Sequence, residues 1–353
     1  MTLFKDAAVP STLCGAEALV EGMKTGITKR KSKYYTLTLR DIEGSTVKAM
    51  AWEESLVPEW MEIGGVIQIT GDVSIYNDEK QINIGNITKA TKTTPLDYVK
   101  STTKDVSALW DDILGRIENM THSFCKHLGM EVVKKTALVD LIKKAPAATK
   151  IHNNWMGGLI EHIHAMCMLA DGICQHYQGY FPNLNKDYVI IGCILHDLGK
   201  VFEFDSNNPA FPKTPTGILT NHIVWGPAWV YSKALIRMEE LEAEESRIAV
   251  EIKRKNLDNS DSGNQLIQNA QKTRALKRDV REGREMVMHL IASHHGRIDY
   301  GSPVVPATIE AIILHYVDNL DTHAMHAWNA TKKEGNIKGF SERSWTYGTE
   351  FKI

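Results

Sequence analysis

The chain has 353 residues, 43% hydrophobic and 24% charged, with a formal net charge of −2. That is long enough for two cored domains and too apolar for wholesale disorder, and it excludes a strongly basic nucleic-acid coat while leaving room for a local basic face. Five scattered cysteines with no C-x-x-C exclude a disulfide framework or a thiolate zinc site and fit a reducing, cytoplasmic setting; no leader pattern and no run of about 20 apolar residues is visible, so no membrane is expected.

Residues 1–92 read as β structure. "KYYTLTLRD" sets Tyr35, Leu37 and Leu39 against Tyr34, Thr36, Thr38 and Arg40, the period of a half-buried strand. "DIEGS" turns into the alternating "TVKAMAW". Gly64-Gly65 precedes "VIQITGDV", and "YNDEK" turns into "QINIGNI". Five short strands with turns at this spacing predict a small barrel or sandwich. The order of events resembles an OB-fold: a long first strand near 18–28, a hairpin over 33–52, a short helical segment over 53–63, then another hairpin. OB-folds commonly hold single-stranded nucleic acid on aromatic faces in a basic groove. Lys29, Arg30, Lys31 and Lys33 would supply the charge here, with Tyr34, Trp52 and Tyr76 as stacking faces. The competing reading makes the aromatics barrel packing and the basic run a solvated turn.

Residues 93–105 are polar with one Pro and read as a linker. From there to 335 the periodicity is helical. Val106, Leu109, Trp110, Ile113, Leu114 and Ile117 form an i, i+3, i+4, i+7 stripe behind Asp105, which is placed to cap it. Further helices are expected at 131–144, 158–176, 187–200, 222–250 and 305–327. The stretch 239–285 is dominated by charge and interrupted by "NLDNSDSGN", which predicts two charged helices joined by a loop. Such an arm is either simply solvated or a surface for substrate or self-association. The tail 336–353 carries no motif. The fold class is therefore multidomain α+β, a small β-barrel followed by a mainly helical domain.

All fourteen histidines lie at or beyond position 122, so the chemistry belongs to the helical module. They fall in short motifs: "KIH" with His152, "GGLIEHIHAM" with His162, "ILHDLGK" with His196 and Asp197, "TNHIVWG" with His222, "IASHHGRIDYGSP" with His294 and His295, and "LHYVDNLD" with Asp318. The His-Asp pair follows an apolar run, and burying a charge is costly unless it is paired or metal-bound. Imidazole and carboxylate donors without thiolate suit Mn²⁺, Fe²⁺, Zn²⁺ or Ni²⁺, and Mg²⁺ less well. Singly, each histidine is more simply a core or surface residue. The joint pattern points to divalent metal.

That pattern resembles the HD-domain metal-dependent phosphohydrolases, with ligands running His, His-Asp, Asp. "GGLIEH", "ILHDLGK", "SHHG" and "GSPVVPATIEAIILHYVDNLD", behind an OB-like module, are similar to the YhaM-type 3'-5' exoribonuclease family over most of the chain. The departure is the insertion at 239–285, longer than the family's link between the His222 and His294 motifs. The resemblance implies an OB-fold domain followed by an HD domain, and His162, His196, Asp197 and Asp318 as core ligands of a metal, most simply Mn²⁺. His222, His294 and His295 would complete a second site, with the choice between the adjacent pair left open. His152 matches an upstream family histidine that would contact metal or phosphate.

Asp197 and Lys200 are the residues expected to carry catalysis, Lys200 as a ligand of a non-bridging phosphate oxygen, with Arg297 a weaker phosphate contact. Lys200 is otherwise a solvated helix-end lysine. The expected substrate is single-stranded RNA, with single-stranded DNA as a further partner. Two other readings compete: a nucleotide or cyclic-nucleotide phosphohydrolase with a regulatory OB module, and a non-catalytic single-strand-binding protein with structural metal.

Overall fold

The computed structural model describes residues 4–99, 101–148, 155–255, 261–332, 339–344 and 346–353. The chain divides into two compact units, Met1–Lys100 together with Phe204–Thr214, and Ser101–Glu203 together with Pro215–Ile353.

In the first unit, β1 (Ser11–Ile27), β2 (Lys33–Arg40), β3 (Thr46–Ala51), β4 (Val66–Tyr76) and β5 (Glu79–Lys89) close into a barrel in the order β1-β2-β3-β5-β4, a five-stranded barrel of the OB type. β3 pairs with β5 in parallel, and the other pairings described are antiparallel. The alternation along β2 is realised, with Leu37 and Leu39 in the barrel core and Thr38 outside. β1 starts earlier than expected because its first half pairs with β4 and its second half with β2. Register shifts at Leu13/Ala16 and Val20/Gly22 bend it between the two partners. The helical segment expected at 53–63 shrinks to one 3-10 turn, Glu54–Leu56, because Pro58 and Gly64-Gly65 leave it no room to propagate.

The expected linker at 93–105 begins inside this unit. Glu17 accepts from the Thr91 and Lys92 amides and the Thr93 hydroxyl at 2.8, 2.9 and 2.8 Å. Arg40 donates to the Tyr98 carbonyl at 3.2 Å, and the Tyr98 side chain is buried. These bonds satisfy a buried carboxylate with backbone donors, which ties the segment to the barrel.

The second unit is helical. α1 (Val106–Glu118) is capped as its sequence predicts, Asp105 accepting from the Ser107 and Ala108 amides, with Leu109, Trp110, Ile113 and Ile117 buried. Two helices, α2 (Ser123–Val133) and α3 (Thr136–Lys144), replace the single one expected at 131–144. α2 lacks a Ser, Thr, Asn or Asp signal at its start because the His122 ring is the cap, accepting from the Cys125 amide. Then come α4 (Gly158–Tyr177), α5 (Lys186–Leu195), α6 (Lys200–Glu203), α7 (Pro215–Lys255), α8 (Asp261–Ser293) and α9 (Ile309–Thr331).

α5 packs against α2, α4, α8 and α9. Every residue from Tyr188 to Leu195 is buried, so the end of α5 delivers the next residues into the middle of the unit. The charged stretch forms the far parts of α7 and α8, where Glu245 joins Arg274 and Lys277 at 2.8 and 2.9 Å. Residues 256–260, in the loop expected between these helices, lie outside the described residues. The tail is held at α9 by a 3.0 Å bond between Ser344 and His326. No described helix is long and apolar enough to cross a membrane.

One ion cluster clamps α2 to α7. Glu131 meets Lys134 at 2.8 Å and Lys233 at 2.6 Å. Burial opposes ionisation of Glu131, but the Lys134 and Lys233 ammoniums outweigh it and bring its carboxyl down to about 2. A carboxyl depressed in the folded state stabilises fully above its ordinary value of 4.5, and that contribution disappears as pH falls through about 2. Glu131→Gln is expected to cost about 1–2 kcal/mol at pH 7, and melting curves should show the gap closing below about pH 4. An unchanged gap at pH 3 would remove the ionic explanation.

Candidate metal centre and nucleic-acid groove

Five elements of the helical unit bring their imidazoles and carboxylates together. His162 comes from the first turn of α4, His196 caps the end of α5, and Asp197 follows in the turn before α6. His222 starts the second half of α7, immediately after a kink at Asn221 (φ 36°, ψ 173°). The Asn221 side chain caps that restart, accepting from the Ile223 and Val224 amides at 3.0 and 3.3 Å. His294 and His295 follow α8, and Asp318 lies on α9.

Ligand atoms of His162, His196 and Asp318 lie within 4.8 Å of one another, and so do those of His222, His294 and His295. Asp197 stands between the two triplets. Its Oδ2 is 3.2 Å from His196 Nε2, and its Oδ1 is 3.5 Å from His222 Nε2 and 3.8 Å from His294 Nε2. Lys200 Nζ donates to Asp197 Oδ2 and to the Ala147 carbonyl, both at 2.6 Å. The helix expected to carry His196 and Lys200 on one face stops at Leu195, and Lys200 instead opens α6.

All five histidines are oriented alike. Nδ1 of His162 meets Asp321 Oδ2 at 2.6 Å, and Nδ1 of His222 meets Glu203 Oε2 at 2.6 Å. Nδ1 of His196, His294 and His295 meets the carbonyls of Cys193, Ile291 and Tyr300 at 3.0, 2.6 and 2.9 Å. A donor pinned at Nδ1 leaves the Nε2 lone pair for an electrophile. His196 Nε2, His222 Nε2 and Asp197 Oδ1 are buried and have no hydrogen-bond partner. Buried polar atoms without partners are rare, and here they converge with donors that suit a divalent cation, so the residues fit such an ion.

The electrostatics agree. Burial pushes the Asp197 carboxyl up, but Lys200, His196 and His222 outweigh it and hold the group well below the ordinary carboxylate range. Asp318 is likewise held down, by His162 and His196 against burial. Burial, with His196 and His295 nearby, keeps the His294 imidazole well below its ordinary value. Burial opposes protonation of His162 too, yet Asp318 and Asp321 raise it to about 9. A cation at Nε2 would displace that proton.

Neighbouring residues support this frame. His315 Nδ1 meets the His294 carbonyl at 2.7 Å, and the His315 ring fills the space where a Cβ at Gly296 (φ 76°) would project. Glu203 and Asp321 were not foreseen as partners of the histidines. Arg297 is 65% exposed and engages Asp299 at 3.4 Å and the Tyr300 ring. His152 lies outside the described residues.

In the barrel unit a groove of about 880 Å³ is lined by residues 28–33 and 52–54. It brings together Lys29, Arg30, Lys31, Lys33 and Trp52. Tyr34 packs on Trp52 with ring centroids 5.5 Å apart. Trp52 is 48% exposed and donates through Nε1 to Asn83 at 3.1 Å, which fixes the indole without covering it. Lys33 is engaged by Glu54 at 2.7 Å. Tyr76 is 61% exposed but is not in the groove lining; it pairs with Glu79 at the β4–β5 turn.

A model of the HD-domain family matches residues 159–323. The 3'-5' exoribonuclease YhaM of Bacillus subtilis is 30% identical over 309 residues, covering 86% of this chain and 82% of the relative. That of Bacillus velezensis is 28% identical over 307 residues with the same coverage. Among solved structures, the second OB-fold domain of replication protein A from Methanococcus maripaludis is similar at 22% identity over 24% of this chain and 87% of that chain, with a TM-score of 0.19.

Proposed function

The chain belongs to the family of the YhaM 3'-5' exoribonucleases, and from that membership we propose that it is a metal-dependent 3'-5' exoribonuclease acting on single-stranded RNA. The observation that carries the chemistry is the set of five imidazoles, all pinned at Nδ1, whose Nε2 atoms converge with Asp197 and Asp318. Two ions would be held, one by His162, His196 and Asp318 and the other by His222, His294 and His295; the two triplets and the Asp197 carboxylate near both support this reading. These donors suit Mn²⁺, Fe²⁺, Zn²⁺ or Ni²⁺, and Mn²⁺ is the ion that the family resemblance implies. Bound divalent cations would supply Lewis acidity and would lower the pKa of a water molecule, making it a competent nucleophile at neutral pH.

The chain's own groups do the rest. A phosphodiester is a poor electrophile because its oxygens are negative, so a buried, fixed set of donors that needs no reorganisation favours the transition state. Lys200 orients the Asp197 carboxylate and balances its charge. With two of its three N–H donors engaged by Asp197 and the Ala147 carbonyl, Lys200 keeps a third for a non-bridging oxygen. In the barrel, Trp52 and Tyr34 offer a stacking platform beside Lys29, Arg30 and Lys31, which would hold the strand by base faces and phosphates without reading sequence.

The test uses metal-stripped protein, added Mn²⁺ and the same single-stranded RNA labelled at either end. Early release of mononucleotide from the 3' label and a shrinking ladder from the 5' label are expected; a DNA strand of the same sequence reads the requirement for the 2'-hydroxyl. Intact RNA alongside hydrolysed mononucleotides would overturn the assignment, and so would no hydrolysis of either. Trp52→Ala should weaken RNA binding by the roughly 1–3 kcal/mol of one base stack, about 5- to 150-fold in Kd, measured by anisotropy on metal-stripped protein. Unchanged affinity would return Trp52 to a packing role.

A further inference from the structure

Resting on the metal-dependent reading above, we propose that Asp321 and Glu203 are positioning residues, each serving one of two ion sites. Asp321 backs His162, which belongs to the triplet with His196 and Asp318. Glu203 backs His222, which belongs to the triplet with His294 and His295, and it accepts the His222 backbone amide as well, at 3.1 Å. Each triplet therefore contains one histidine backed by a carboxylate, while His196, His294 and His295 lean on neutral carbonyls.

This difference has chemical content. A carboxylate at Nδ1 fixes the ring and makes Nε2 more basic than a carbonyl does, and loss of such a partner typically costs about 10–100-fold in metal affinity. The two carboxylates also arrive by separate routes. Asp321 stands one turn after Asp318 on α9, so a single helix supplies a direct donor and a backing group to the same triplet. Glu203 ends α6 and reaches across to the restart of α7. Both are buried. Neither spans the two triplets, so each should tune its own site and leave the other alone.

Mn²⁺ binding to metal-stripped full-length protein tests this, read as ions per chain after equilibrium dialysis. Glu203→Gln and Asp321→Asn keep shape and remove charge. In a His295→Ala background, which cripples one triplet, Asp321→Asn should weaken the remaining site about 10–100-fold and Glu203→Gln should leave it unchanged. In a His162→Ala background the pattern should reverse. A general packing defect would not alternate in this way. Equal weakening of both sites by either variant, or no weakening by both, would overturn the assignment. Thermal melts accompany each variant, and if one fails to fold the other carboxylate carries the same test in its own background. Wild-type protein that binds none of Mn²⁺, Fe²⁺, Zn²⁺ and Ni²⁺ would instead sink the metal-dependent reading itself.

Discussion

Asp197→Asn is expected to lower RNA hydrolysis by roughly 10³-fold or more, about 4 kcal/mol of transition-state stabilisation. Asp197 reaches both triplets, with Oδ2 at 3.2 Å from His196 Nε2 and Oδ1 at 3.5 Å from His222 Nε2. Asparagine keeps the volume and removes the charge. Its amide must present either hydrogens where a cation would sit or a single neutral oxygen to one side. The Lys200 ammonium, mostly buried at 2.6 Å from the carboxylate, also loses its counter-charge. The measurement is a single-turnover rate on end-labelled RNA at saturating Mn²⁺, with bound metal counted on the same sample. A fully active Asn variant would show that the carboxylate is not part of the reacting centre.

Gly199→Ala should be nearly as damaging, although it changes no polar group. A Cβ on Gly199 would fall 2.6 Å from His222 Cα and 2.8 Å from the His222 carbonyl oxygen. Those are backbone atoms, so the clash cannot be relieved by a rotamer change. Either the turn carrying Asp197 or the restart of α7 must move. A stability loss of about 1–3 kcal/mol is expected from such overpacking. A shift near 1 Å in a catalytic group costs about 10²-fold in rate. Gly172→Ala is the control, a glycine within α4 with open space around its Cβ position. That change should stabilise by up to about 1 kcal/mol from helix propensity alone. Equal behaviour of the two variants in melts and in turnover would refute the close-approach argument.

Much of this was legible from residue order, for physical reasons that differ by region. The period-two runs of the barrel specify strands because one face of each must be buried, and Leu37, Leu39, Ile67 and Ile69 are buried accordingly. The apolar run Val189–Leu195 before His196 announces that whatever follows it is deep. Glu203 and Asp321 carry no such mark. A carboxylate that will back a histidine looks like any other acidic residue until the helices are packed. The restart of the helix after Asn221 was legible, since a helix was expected from 222 and Asn is a favoured cap; the helical stretch from Pro215 that precedes the kink was not. Tyr76 shows the limit on the barrel side. Its exposure was foreseeable, but closing the barrel in the order β1-β2-β3-β5-β4 is what separates it from the groove lining.

The donors of the metal centre run from His162 on α4 to Asp318 on α9, whereas the barrel is complete by Lys89. Domains fold as units during synthesis, N-terminal first. A chain emerging from the ribosome would thus have all five barrel strands well before α9 exists to supply Asp318. On the proposed reading it would, over that interval, hold single-stranded RNA at the barrel before it could cut it. On that reading the order of modules along the chain would delay cleavage until α9 is made.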